Sequence, residues 1–331
     1  MQQPRVLVTG GAGYIGSHAC KALAAAGYVP VSYDNLEHGH EWAVKWGPSV
    51  NGDLRDTDLL KRTLERHSIS AVMHFAAYCY VGESMTAPEK YFRNNVANSI
   101  ELLDATRECG VRQLVFSSTC ATYGVPVRLP IDEEHPQTPI NPYGESKLMV
   151  ENMLRWQEHA YGLKWSALRY FNAAGADADG DIGEDHSPET HLIPLAIQAA
   201  LGQRAAVDVY GTDYPTADGT AIRDYIHVTD LAQAHVKALQ RLQSGGPSIA
   251  LNLGTGLGHS VRQVLEMVRA VSEREFAVRN ASRRAGDPPE LVADARRAFD
   301  ILQWRPQHSS LRNIVETAWR WHSRAHVDAA H

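Results

Sequence analysis

The sequence has few cysteines and no long apolar run. Its 331 residues include four cysteines, Cys20, Cys79, Cys109 and Cys120, without C-x-x-C spacing. This pattern excludes a disulfide framework and a cysteine-ligated zinc domain, so we expect reduced thiols, no metal site and a cytoplasmic protein. No apolar stretch approaches the roughly 18 residues that a membrane span requires, so we also expect no membrane partner.

The chain also has no excess of basic residues. Lys and Arg total 32 against 38 Asp and Glu, which gives a net charge of -6. We therefore expect no nucleic-acid partner, and any bound phosphate must be held by local groups. The hydrophobic content of 44% and the length of the chain are those of a globular protein with a deep core.

Short apolar, β-rich runs recur in the first half of the chain, with helical periodicity between them. The runs begin at Val6, Val29, Ala71, Gln113 and Trp165. The predicted helices span 14–26, 56–67, 85–109 and 142–161. This alternation predicts an α/β fold with a doubly wound parallel sheet of the Rossmann type. Long Gly- and Asp-rich loops after Asn172 predict a smaller, mixed α/β domain over 173–331, with some segments returning to the domain of residues 1–172.

Three glycines lie between the first strand and the first helix. Gly10, Gly13 and Gly16 would let the backbone approach a pyrophosphate, which the N–H groups of Tyr14 and Ile15 would meet at the positive helix end. The alternative is an ordinary strand-to-helix turn. The combination of strand, spacing and helix favours a dinucleotide site.

Acidic residues follow the next two strands. Asp34 closes the second strand, where a carboxylate accepts hydrogen bonds from ribose hydroxyls and repels a 2′-phosphate, which favours NAD over NADP. It could instead begin a turn with Asn35. Asp53 and Leu54 are candidates for bracketing the adenine, and the competing interpretation of Asp53 is a helix cap.

A second glycine cluster does not predict a second cofactor site. Gly254, Gly256 and Gly258 also lie between a strand and a helix, but Ser260 is a good N-cap for a helix over 261–271. No suitably placed acidic residue follows. We interpret this cluster as a tight turn.

Tyr143 and Lys147 are predicted to lie on one face of a helix that begins at Pro142. A nearby ammonium and the helix end favour phenolate, so we expect the pKa of Tyr143 to fall toward neutral pH. Such a phenol exchanges a proton with a sugar hydroxyl, and Thr119 at a strand end is its expected hydroxyl partner. An exposed Tyr beside a solvated Lys is the alternative. We expect His74 to be a buried structural residue.

Several further segments carry a family resemblance that runs from Val6 to about Trp319. The segments include VGES at 81–84, NNV at 94–96, YGESKLMVE at 143–151, RYFN at 169–172 and RRAGDPPE at 283–290. With the glycine turn, they resemble the UDP-galactose 4-epimerase family of extended short-chain dehydrogenases. The resemblance implies bound NAD, a UDP-sugar substrate, and a homodimer formed through helices near 89–107 and 143–160.

The resemblance also implies residue roles. Tyr143, Lys147 and Thr119 would be catalytic. The cofactor would also contact Phe75, Ala76, Ala77, Asn95, Ser117 and Tyr170. The substrate would contact Asn172, His191, Leu192, Val209, Tyr210, Arg223, Arg284, Asp287 and Leu291. Taken alone, Arg223 and Arg284 would more often be solvated or paired, although a guanidinium suits a diphosphate.

The implied reaction interconverts UDP-galactose and UDP-glucose through a 4-keto sugar that turns over before it is reduced. Dehydratases on this scaffold carry an acid just after the strand-end hydroxyl, where this chain has Cys120, Ala121 and Thr122. Other 4-epimerases, acting on UDP-N-acetylhexosamines, UDP-pentoses or UDP-uronic acids, are the alternative. A non-catalytic NAD-binding regulator would not need Tyr143 and Lys147 together.

Three positions depart from the family pattern. Cys79 stands where many relatives have Lys, and His191 where they have Asn. Leu291 stands where bacterial relatives often have a Tyr that limits the size of the sugar. The smaller leucine predicts room for an N-acetyl group.

Overall fold

The computed structural model describes residues 3–284 and 287–328. Ala285 and Gly286 of the RRAGDPPE segment lie outside the described residues. None of the helices in these ranges is long and apolar enough to cross a bilayer.

The first part of the chain alternates strands and helices. The strands are β1 (Arg5–Thr9), β2 (Val29–Asp34), β3 (Ser49–Asn51), β4 (Ile69–His74), β5 (Gln113–Thr119) and β6 (Lys164–Tyr170). The helices are α1 (Tyr14–Ala25), α2 (Thr57–Arg66), α3 (Val81–Thr86), α4 (Pro88–Tyr91), α5 (Asn98–Glu108) and α6 (Pro142–Tyr161). The helix predicted over 85–109 is wrong as a single element, because Pro88 starts a new helix and a π-helical segment, Phe92–Ala97, interrupts the run.

Seven more strands, most of them short, and five more helices follow in the described part of the chain. The strands are β7 (Asn172–Ala174), β8 (Val207–Tyr210), β9 (Ile222–His227), β10 (Ile249–Leu253), β11 (Gly258–Ser260), β12 (Val278–Ala281) and β13 (Glu290–Leu291). The helices are α7 (Leu192–Ala200), α8 (Val228–Gln243), α9 (Val261–Ser272), α10 (Arg296–Leu302) and α11 (Leu311–Asp328).

A seven-stranded parallel sheet forms the centre of the molecule, in the order β10-β6-β5-β4-β1-β2-β3. This confirms the predicted doubly wound fold. The strand order reverses between β1 and β4, and the crevice at the carboxyl ends of these two strands is where such sheets bind ligands.

Alternate residues of each strand pack on opposite faces of the sheet. Val6 and Val8 belong to a core with α1 and α8, whereas Leu7 belongs to a core with α2, α5 and α6. Because both faces are covered, the central strands are mostly apolar on both faces. A third core, formed around α7, α9 and α11, belongs to a smaller α/β region with short strands.

Ser260 caps α9, as predicted. Its hydroxyl accepts a hydrogen bond from the N–H of Gln263, whose side chain in turn accepts one from the N–H of Ser260. The carboxylate of Asp224 accepts bonds from the N–H groups of Thr255 and Gly256, so the turn at the second glycine cluster is filled by a protein carboxylate.

Candidate active site

The glycine turn lies beside the loop that follows β4. A side-chain carbon at Gly10, whose φ is +73°, would lie 2.7 Å from the backbone nitrogen of Ala76, and one at Gly16 would overlap the carbonyl oxygen of Gly10. The N–H groups of Phe75 and Ala76 donate to the carbonyl of Thr9 at 2.9 and 3.1 Å. Glycine is therefore required for the two loops to meet at the point where strand order reverses.

The start of α1 is open to an anion. Gly13 occupies the N-cap position and provides no side-chain hydrogen bond, and the first turn has no acidic residue. The N–H groups of Tyr14 and Ile15 belong to this uncapped turn. The turn is thus suited to a phosphate group.

The acidic residues after β2 and β3 organise their own loops. The carboxylate of Asp34 accepts hydrogen bonds from the N–H groups of Ala12 and Leu36 at 3.0 and 2.9 Å, and burial raises its pKa. Asn35 donates to Asp53, and the Arg55 guanidinium lowers the pKa of that carboxyl. Asp53 is not the cap of α2, since Asp56 accepts the hydrogen bond from Leu59 N–H. Leu54 is buried and Ala77 is half-buried.

The start of α6 brings Tyr143 to the end of β5. The Asn141 side chain caps the helix by accepting a bond from the N–H of Gly144, and Pro142 occupies the first turn, as predicted. Gly144 packs so closely on the carbonyl of Ala121 that a side chain would overlap it. This contact places the Tyr143 phenol near the Thr119 hydroxyl, which acts to lower the pKa of the phenol.

Lys147 is buried against the sheet. Its side chain is 3% exposed, and Nζ donates to the carbonyl of Ser117 at 2.9 Å and lies 4.9 Å from the centre of the Phe116 ring. Burial lowers the pKa of Lys147 to about 8. The Ser117 hydroxyl hydrogen bonds to that of Tyr170, which lies opposite Thr119 in the β5–β6 register.

The expected fall in the pKa of Tyr143 is not found. Burial raises the pKa of this phenol well above its ordinary value, and the Thr119 hydroxyl opposes that rise only in part. The Lys147 ammonium donates to a backbone carbonyl, so desolvation dominates over charge attraction.

His74 is structural, as predicted. It hydrogen bonds to Thr9 at 2.7 Å and to Ser99 at 2.9 Å, and burial lowers its pKa to about 3.

The substrate-side candidates form two groups. Arg223 pairs with Asp287 and donates to the carbonyl of Pro288 at 2.9 Å, and its strand partner Leu291 packs on Cys120 and Phe171. Because Cys120 directly follows Thr119, this group lies beside the phenol. Burial raises the pKa of the Cys120 thiol to about 12, and the positive charge of Arg223 opposes that rise.

The other substrate-side candidates lie on the smaller sheets and the loop before α7. The Arg284 guanidinium lies 4.1 Å from the centre of the Tyr210 ring, and Val209 is buried beneath it on β8. Asn172 begins β7 and is paired with Tyr225. His191 immediately precedes α7, whose first residue is Leu192.

Comparison with known proteins now adds to this geometry. A model described as the NAD dependent epimerase/dehydratase family matches residues 6–254. The chain belongs to this family. It is 54% identical over 324 residues to a UDP-glucose 4-epimerase of Rhizobium meliloti (strain 1021), covering 98% of each chain.

Solved structures of the family have the same fold. The UDP-glucose 4-epimerase of Brucella ovis in complex with NAD matches with a TM-score of 0.94 and 53% identity, covering 96% of this chain and 98% of that one. A UDP-glucose 4-epimerase from Stenotrophomonas maltophila, with bound NAD and formylated UDP-arabinopyranose, matches with a TM-score of 0.95 and 41% identity, covering 99% and 100%.

The contacts that Glu151 and Asn95 make in support of this epimerase/dehydratase site were not predicted. Glu151 forms a buried ion pair with Arg169 at 2.6 Å and accepts a bond from the Ser118 hydroxyl at 2.6 Å. Tyr143, Lys147 and Glu151 recur every fourth residue, so helical spacing could have found this contact. Asn95 accepts a bond from Tyr78 N–H and donates to the Ser146 hydroxyl, which ties the loop after β4 to α6.

A third missed feature is the loop before α7. Glu184, His186, Glu189 and His191 meet there, and His191 Nδ1 lies 2.9 Å from a carboxylate oxygen of each glutamate. The two carboxylates raise the pKa of His186 to about 9 and that of His191 well above its ordinary value, against the opposite effect of burial. Cys79 lies near this group and is exposed in the cleft.

Proposed function

We propose that this protein interconverts UDP-galactose and UDP-glucose by NAD-dependent oxidation and reduction at C4 of the sugar. The observation that carries the proposal is the arrangement of Tyr143, Thr119 and Lys147 at the end of β5, in the same sheet as the glycine turn after β1, in an NAD dependent epimerase/dehydratase. The activity named for the Rhizobium meliloti and Brucella ovis relatives supports it.

The residues at the strand reversal fit NAD. Gly10, Gly13 and Gly16 with the uncapped start of α1 would hold the pyrophosphate, and Asp34 would accept ribose hydrogen bonds. The other proposed cofactor contacts are Tyr14, Ile15, Asn35, Asp53, Leu54, Phe75, Ala76, Ala77, Asn95, Ser117, Tyr143, Lys147 and Tyr170. Bound NAD would supply the acceptor for the C4 hydride and, once reduced, its donor, and the positive ring of the oxidised form would favour the Tyr143 phenolate.

Tyr143 would take the proton of the 4-hydroxyl as C4 loses its hydride, leaving a 4-keto sugar and a protonated phenol. Thr119 would orient the sugar hydroxyl by hydrogen bonding, and Lys147 would supply positive charge near the phenol. After the sugar turns about its diphosphate, Tyr143 would return the proton while the opposite face of C4 is reduced. The configuration at C4 is then inverted.

The second part of the chain would hold the UDP-sugar. Arg223 and Arg284 would face the diphosphate, because a guanidinium donates to two phosphate oxygens at once. Thr119, Tyr143, Asn172, His191, Leu192, Val209, Tyr210, Asp287 and Leu291 are the remaining proposed contacts. Residues 1–172, with segments returning from later in the chain, would form the NAD domain, and the rest of 173–331 the UDP-sugar domain.

The experiment is to incubate the purified protein with UDP-galactose and identify the product by NMR. We expect UDP-glucose, NAD released on denaturation, and a 10²- to 10⁴-fold lower kcat for Tyr143→Phe. Tyr161→Phe, at the exposed end of the same helix, is the matched control and should retain activity. Full activity of Tyr143→Phe, or a 4-keto-6-deoxy product, would reject the proposal.

Leu291 favours a second substrate class, the UDP-N-acetylhexosamines. It is partly buried against Cys120 and Phe171 near the phenol, and it is smaller than a tyrosine. We expect the wild-type protein to turn over UDP-N-acetylglucosamine. Leu291→Tyr should turn over this substrate at least tenfold more slowly and should retain its turnover of UDP-galactose. Background turnover by the wild type would contradict this proposal.

A homodimer in the cytoplasm completes the proposal. Ile100 on α5 and Met149 and Trp156 on α6 are 44%, 37% and 71% exposed, which suits an interface between copies of these helices. The four free cysteines suit a reducing compartment. Sedimentation should show a dimer for the wild type and a monomer for Trp156→Glu. Leu257→Glu, on a distant loop, is the control and should remain a dimer. A monomeric wild type would reject the proposed dimer.

A further inference from the structure

The loop before α7 gathers four groups that bind metal ions. Glu184, His186, Glu189 and His191, here the Glu–His cluster, lie within eight residues, and their ligand atoms all lie within 4.8 Å of one another. Glu184 is 4% exposed, and the His186 side chain is 14% exposed. The His191 side chain is 38% exposed, so the cluster is buried on the side of Glu184 and His186 and opens to solvent at His191.

The spacing within the cluster fits one tetrahedral ion. His191 Nδ1 is 2.9 Å from both glutamates, and His186 Nδ1 is 3.2 Å from Glu184 and 3.8 Å from Glu189. Zn²⁺ bonds of about 2.1 Å place neighbouring ligand atoms about 3.4 Å apart. The four histidine–glutamate distances are within about half an ångström of this value, and all the ligand atoms lie within 4.8 Å of one another, so small side-chain rotations would bring the four groups around one ion.

Surrounding groups already orient the ligands. The Glu189 carboxylate accepts bonds from the N–H groups of Thr190 and His191 at 2.7 Å, and the Tyr14 and Tyr80 rings pack edge-on against His186. Within the described part of the chain, buried His186 Nδ1 has no well-aligned hydrogen-bond partner. The Glu184 carboxylate lies 3.2 Å from this nitrogen without forming an aligned hydrogen bond, and a metal bound between the two groups would satisfy both.

A nearby acidic triad shows the contrast. Asp177, Asp179 and Asp181 also converge, but the ammonium of Lys21 lies 2.7, 2.7 and 3.0 Å from them and already neutralises the group. The Glu–His cluster has imidazoles, which suit Zn²⁺ better than Mg²⁺ or Ca²⁺.

We propose that the Glu–His cluster binds one Zn²⁺ ion with four protein ligands, as a structural site. Four protein ligands fill the coordination positions of the ion and leave none for a substrate, which is typical of structural zinc. Because His186 contacts Tyr14, whose hydroxyl donates to the Gly175 carbonyl at 2.6 Å, the ion would fix this loop to the start of α1. The inference does not depend on the epimerase reaction.

The test uses tag-free, full-length protein treated with a chelator and then titrated with Zn²⁺ or Co²⁺ by calorimetry and absorption. We expect one equivalent bound, a tetrahedral Co²⁺ spectrum, and a higher Tm with Zn²⁺. His186→Asn and Glu189→Gln should each weaken binding at least tenfold. Asp179→Asn in the triad and His159→Asn on exposed α6 are controls that should bind like the wild type.

Absence of stoichiometric binding, an octahedral Co²⁺ spectrum, or unchanged affinity in both ligand variants would overturn the proposal. If a ligand variant fails to fold, wild-type crystals grown with Zn²⁺ decide by anomalous scattering. A peak between Glu184 and His191 supports the site, and a peak only elsewhere rejects it.

Discussion

At the scale of single residues, the sequence predicted which side chains lie close together more reliably than it predicted how burial changes their pKa values. Helical spacing is a local property, so Tyr143 and Lys147 could be placed on one face of α6. The acceptor of the Lys147 ammonium is the carbonyl of Ser117, which α6 reaches only after β5 has entered the sheet. The direction of the pKa change of Tyr143 depends on that packing and was predicted wrongly.

Lys147 carries a prediction about stability. Its folded pKa of about 8 lies below its ordinary 10.5, so between these values the unfolded chain binds more protons and wild-type stability rises with pH. Each pKa unit corresponds to about 1.4 kcal/mol, so the buried charge costs roughly 3 kcal/mol at pH 7. We expect Lys147→Met to lose activity, and its stability relative to wild type to be greatest at pH 7.

Urea unfolding of both proteins at pH 7 and pH 10, after removal of bound NAD, measures this effect. The advantage of Lys147→Met should shrink by an amount on the order of 2 to 3 kcal/mol as the wild-type lysine loses its charge. A difference between the two proteins that stays constant across this range would show that Lys147 is not a buried charge. Lys61→Met on exposed α2 is the control and should show no such trend.

At the scale of elements, the helices that carry local signals were predicted well. Pro142 and Ser260 marked helix starts that the structure confirms. The interruptions in the helical segment from 81 to 108 were not predicted. The π-helical turn there holds Asn95 against Tyr78 and Ser146, and contacts with residues this distant in sequence leave no local signal. The contacts of the loop after β7 were not predicted, since its partners Tyr14 and Lys21 lie on α1.

Lys21 on α1 should hold that loop in place. Lys21→Met would leave the three aspartates without their shared cation, and repulsion between them should loosen residues 176–185. We expect faster amide hydrogen exchange in this segment, a higher KM for the UDP-sugar and a smaller change in kcat.

Lys61→Met is again the matched control, since Lys61 pairs with Glu108 on the surface at 2.6 Å. Exposed pairs contribute little, so its exchange should match that of the wild type. Unchanged exchange over 176–185 in Lys21→Met would show that the Tyr14–Gly175 hydrogen bond and the Lys45 contact with the Asp181 carbonyl hold the loop alone.

At the scale of the whole molecule, alternating strands and helices were enough to predict the doubly wound sheet. They did not show which later segments rejoin it. The sheet's last strand, β10, pairs with β6 along Ser166 to Tyr170, and α8 packs on α1 through Leu231 and Leu239. A short apolar run after long loops carries no local signal that tells whether its strand joins the central sheet or one of the smaller sheets.

This topology predicts that residues 1–172 do not fold alone. Without α8 and β10, one face of the sheet would expose the surface that Leu231, Leu239 and Leu251 cover, and β6 would become an unpaired apolar edge. We expect the fragment to aggregate or bind a hydrophobic dye, and the full chain to unfold in one cooperative transition. A soluble fragment with cooperative unfolding and NAD binding would instead show that the boundary at 172 separates two independently stable domains.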